Sequence, residues 1–114
     1  MDSIRKLLMT ANKSAQEFFL SVAHGSTPFI TIYSKDADTF TKLSNPATLP
    51  ADTGNGVAFS ADGTYLAVSH GTSPFITIYK RSGDTFTKLS NPATLPADTG
   101  YDVAFFPPAV PGSR

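Results

Sequence analysis

"DTFTKLSNPATLPADTG" occupies residues 38–54 and is spelled out again at residues 84–100. Shifting the chain by 46 residues extends the match: residues 24–56 align with 70–102 at 25 of 33 identical positions. Weaker similarity reaches back to Ser14/Ser60 and forward to Phe59/Phe105. A fold does not require identity in its exposed loops, so the simplest account is a recent duplication of one unit.

Each unit divides into four short strands, named A to D in the second copy: "GVAFS" at 56–60, "YLAVSH" at 65–70, "FITIY" at 75–79 and "TFTKL" at 85–89. Strands B and C carry apolar residues at both parities, with Leu66 and Val68 against Tyr65 and Ala67, and Ile76 and Ile78 against Phe75 and Tyr79. That doubled alternation predicts a sheet covered on both sides. Strand D is more polar, as suits an outer edge. Asp62-Gly63 is expected to supply a two-residue A–B hairpin turn, and Gly83-Asp84 to turn C into D. "SNPATLPADTG" then links D to the next A, stiffened by two prolines. Asn55-Gly56 looks like a hairpin dipeptide, but the second copy has Tyr101-Asp102 there, so no turn is expected.

A period in the forties is that of a propeller blade. "VAFSADGTYLAVSHGTSPFITIYKRSGDTFTKL", residues 57–89, resembles the repeats of the WD-repeat-like (YVTN-type) β-propellers of bacteria and phages. The resemblance covers residues 14–105, and its most specific elements are the "AFSxDG" and "LAVSHG" stretches. It implies an all-β chain of four-stranded blades around a central channel.

The units are offset from whole blades. The first has B at 18–24, C at 29–33 and D at 39–43, but no recognisable A, and Gln16-Glu17 stands where Asp62-Gly63 turns the second. "YDVAFF" at 101–106 is a third strand A, stopped by Pro107-Pro108. The expected layout is BCD–ABCD–A: a first blade at 18–55, a second at 56–100, and a donated strand with its tail at 101–114. Two blades cannot close a propeller, so the layout predicts a cyclic homo-oligomer closed by strand exchange between chains. Three chains give six blades and are favoured over four; a symmetric ring of such chains cannot have seven. Ile4, Leu7, Leu8, Ala11 and Ala15 follow helical spacing and predict a short N-terminal helix within 1–17; the rival is an imperfect strand A at "KLLMT".

Composition narrows the function. Nine Lys+Arg balance nine Asp+Glu without a basic stripe, which argues against nucleic acid as a partner. No Cys is present, so disulfides and thiolate chemistry are excluded. The run at Leu7–Met9 is too short for a signal-peptide core, and no apolar run spans a membrane, so a cytoplasmic or virion-associated protein is expected. Walker, G-x-G-x-x-G and G-x-S-x-G motifs are absent, and no nucleophile–base pair is evident; neither enzyme activity nor a cofactor is expected.

His24 and His70 recur at the end of strand B, one per unit and without the partner spacing of a metal site. With Asn45, Asn91, Asp52 and Asp98 of the D–A linkers, they form the candidate ligand-binding set on the face built by the B–C and D–A loops. The competing role for each histidine is to cap its strand and hold its turn. Two function classes follow. One is a self-assembling scaffold or binding module for a repetitive ligand, such as a glycan or protein array. The other is a purely structural fragment of a larger propeller gene.

Overall fold

The computed structural model describes residues 18–106 of the 114. The expected N-terminal helix at 1–17 and the tail beyond 106 lie outside them. The described chain is all-β, with two antiparallel sheets. The first holds β1 (Phe18–Ala23), β2 (Ile30–Asp36) and β3 (Thr39–Lys42) in that order. The second holds β4 (Gly54–Phe59), β5 (Tyr65–His70), β6 (Ile76–Ser82) and β7 (Thr85–Lys88), again in chain order.

The turns explain the boundaries. The β2–β3 and β6–β7 connections are two-residue hairpins, since Asp36 pairs with Thr39 and Ser82 with Thr85. Their first central residues, Ala37 (φ 55°) and Gly83 (φ 60°), take positive φ, as the first central residue of a II′ turn does. The β4–β5 connection is longer than the expected two residues. Only Gly63 has positive φ, whereas Asp62 works through its side chain: its Oδ1 accepts from Ser60 Oγ and the Thr64 amide, both at 2.9 Å. Phe29 and Phe75, expected to open strand C, sit at φ 72° behind cis Thr27-Pro28 and Ser73-Pro74, so each strand starts one residue later. Asn55-Gly56 lies inside β4 and makes no turn. The register steps from Gly54↔His70 to Gly56↔Ser69, which bulges Asn55 out of the ladder.

The core forms where the sheets face each other. Phe19, Ile30, Ile32 and Leu43 of the first unit pack on Leu66, Val68, Tyr79 and Phe86 of the second. Phe19, Phe59 and Phe86 close one side as a triangle of rings 6.0–6.2 Å apart, with the Arg81 guanidinium 4.6 Å from the Phe19 centroid. The linker at 44–53 crosses between the sheets with Pro46 and Pro50 buried. At its end Gly54 must be glycine: a Cβ there would lie 2.7 Å from the Phe29 carbonyl oxygen and 2.9 Å from the Ala23 Cβ. Residues 101–106, the equivalent of β4 and expected as a third strand A, form no strand among the described residues.

Candidate functional site

His70 is the best-enclosed of the candidate residues. It ends β5, is fully buried, and spends both ring nitrogens inside the chain. Nδ1 lies 2.9 Å from the Thr72 carbonyl and Nε2 2.8 Å from Thr77 Oγ1. A carbonyl only accepts, so Nδ1 carries the proton, and the neutral ring's Nε2 accepts from the Thr77 hydroxyl. Burial holds the His70 pKa below the usual imidazole value, against the opposing pull of the Thr72 carbonyl and the Asp52 charge.

Asp52 reaches this turn from the first linker. Its Oδ2 accepts from Thr72 Oγ1 at 2.9 Å, while its Oδ1 accepts from the Thr53 amide at 2.7 Å. The Thr53 amide first, then the Thr72 hydroxyl, hold the carboxyl below its ordinary value. A three-part contact results: the linker carboxylate, the turn hydroxyl, and the imidazole that braces the turn from below. It joins the first unit's linker to the second unit's B–C turn.

His24 repeats only part of this pattern. Its Nε2 lies 2.8 Å from Thr31 Oγ1, and the ring is half-buried. Asp98 accepts from the Thr99 amide at 2.6 Å, the same local turn that Asp52 makes. Asn45 and Asn91 do not join either histidine network. Their Oδ1 atoms accept from Lys42 Nζ at 3.1 Å and Lys88 Nζ at 2.9 Å, the lysines three residues earlier. The six candidates thus divide: His70 and Asp52 are brought together through Thr72, and the other four stand outside that network. Among the described residues no group of three or more His, Cys, Asp or Glu is placed to hold a metal ion.

Tyr79 and Thr48, neither of them among the six candidates, belong to the same junction. Tyr79, fully buried in β6, donates its hydroxyl to the Thr48 carbonyl of the first linker at 2.7 Å. Burial pushes its phenol pKa well up. The signal available in sequence was the repeated "FITIY", whose tyrosine sits at core parity yet carries a hydroxyl that needs a partner.

No family model, curated protein or solved structure matches this chain.

Proposed function

We propose that the chain is a non-enzymatic, self-assembling scaffold. Its two sheets act as blades of a WD-repeat-like propeller ring, completed by other copies of the chain through strand exchange. One observation carries the reading: among the described residues, 101–106 repeat the position of β4 but form no strand, and β1 has no neighbour on the edge where β5 holds β4. Transferring the β4–β5 register by one repeat places Val103 opposite Val22 and Phe105 opposite Leu20 of the next chain. Such an exchange is heterologous and closes as a cyclic ring, with three chains giving six blades.

The ring would present the B–C and D–A loops once per blade, so any ligand using His24, Asn45, Asp98 and their equivalents would itself be repetitive, a glycan or a protein array. Saturation of the His70 nitrogens and of Asp52 within the chain favours a structural role for these residues. The scaffold is therefore the primary reading, and ligand display the secondary one.

Removing residues 101–114 tests the exchange. Light scattering should show the assembly lost or aggregated, because the β1 edge and its apolar face are left open. A truncated chain of unchanged mass and melting temperature would overturn strand donation and point to residues 1–17 as the source of strand A.

A further inference from the structure

We infer that the second linker, residues 90–100, is a clasp for the first sheet of another copy, with Tyr33 and Ser26 of that copy as its receptors. The inference rests on the assembly proposed above and adds to it a contact outside the exchanged strand. Its template is the junction within one chain, where the identical linker at 44–54 lies on the second sheet. There Tyr79 Oη donates to the Thr48 carbonyl at 2.7 Å and Thr72 Oγ1 to Asp52 at 2.9 Å. Every group in that junction has its counterpart one repeat away. Thr94 and Asp98 stand in the second linker, Tyr33 in β2, and Ser26, which keeps a hydroxyl, where the second copy has Thr72.

Nothing among the described residues uses those counterparts. The Tyr33 hydroxyl has no hydrogen-bond partner there, and Asp98 accepts only from its neighbour Thr99. Pro92 and Pro96 are exposed where Pro46 and Pro50 are buried. The sheet face that would receive the clasp is bare and apolar: Leu20 is 45% exposed against 0% for Leu66, and Phe40 49% against 3% for Phe86. The cross-strand register sets Leu20 beside Tyr33, and Phe18 and Phe40 on either side of Lys35, so these residues share one face.

The occupant that fits this face is already drawn in the molecule. In the chain the equivalent face of the second sheet is covered by the first unit and its linker. The same operation applied once more sets the second unit of one copy, linker included, on the first sheet of the next. Tyr33 then donates to the partner's Thr94 carbonyl, Ser26 to the partner's Asp98 carboxylate, and Phe40 packs beside the partner's Phe105 and Tyr65. These take the places of Phe86, Phe59 and Phe19 in the ring triangle.

The full-length chain carrying Tyr33→p-benzoylphenylalanine, mixed from light and isotope-labelled batches and irradiated, tests the clasp. The linkers are identical in sequence, but cleavage after Lys42 and Lys88 separates them into peptides beginning at 43 and 89. Heavy–light crosslinks into residues 89–114 are expected. Crosslinks confined to one chain, or reaching another segment in an assembly of unchanged mass, would overturn the clasp and leave the assembly standing. A monomer by light scattering of the unmodified chain would overturn both. In parallel, Tyr33→Phe should weaken association about three- to tenfold, the loss of one hydrogen bond at each junction. Wild-type association would remove that bond from the account.

Discussion

The two copies of "DTFTKLSNPATLPADTG" have one sequence and two environments. In the first, Phe40 is open to solvent while Pro46 and Pro50 are buried under the second sheet's margin. In the second, Phe86 is buried against the first unit while Pro92 and Pro96 are open. Each copy is satisfied on the side that faces the other and bare on the side that faces away. Local sequence cannot cause the difference, because it is the same in both. Among the described residues the difference lies in the neighbouring unit that each half meets or lacks, and the proposed assembly would pair the two bare halves as the covered halves are paired.

The two environments differ widely at the leucines of strand B, Leu20 and Leu66. Leu66→Asp buries a carboxylate without a partner, costing several kcal/mol, and should abolish the folded state seen by circular dichroism. Leu20→Asp alters the equivalent position on the bare face. It should leave the strand signal in place while dissociating the assembly. An oligomeric Leu20→Asp chain would show that the two faces are not equivalent.

A smaller contrast lies in the C–D hairpins. Gly83 takes φ 60° at no steric cost, and Ala37 takes φ 55° with a Cβ in place. Gly83→Ala should destabilise by about 1 kcal/mol and Ala37→Gly stabilise by somewhat less, since glycine also loosens the unfolded chain. Denaturant midpoints check both. Equal midpoints for Ala37→Gly and the parent would mean the first hairpin relaxes away from this conformation.

The gentlest effect is that of pH at His70. Its folded pKa is held below the ordinary 6.5, mainly by burial, so between the two values the unfolded chain binds the proton first. The contribution is present in full above about 6.5 and declines as pH falls through that value toward the folded pKa. Denaturation midpoints should therefore drop on acidification below pH 6.5, and His70→Gln should flatten that drop. A variant with the parent's full pH slope would locate the titrating group elsewhere.

Strand identity was legible because it is encoded locally: parity of apolar residues in "YLAVSH" and "FITIY", and breaker residues between them. Among the described residues seven strands appear, five of them within two residues of the expected bounds, whereas β2 and β6 run three residues past the expected end of strand C, to Asp36 and Ser82. The misplacements have local geometric causes. Phe29 and Phe75 fall out of strand C through positive φ, and the turn after β4 is longer because the Asp62 carboxylate bonds Ser60 and Thr64. The junction was far less legible. Asp52–Thr72 spans 20 residues and Tyr79–Thr48 spans 31, and both depend on where a linker comes to rest on another sheet. Asn45 and Asn91 looked equivalent to the histidines by repeat position, yet their chemistry is set by the lysine three residues before each.

The mass of the intact chain in solution, measured by light scattering down to micromolar concentration, tests most directly whether another copy covers the bare halves. A closed oligomer of three chains that does not grow with concentration is expected. A stable, folded monomer at micromolar concentration would contradict it.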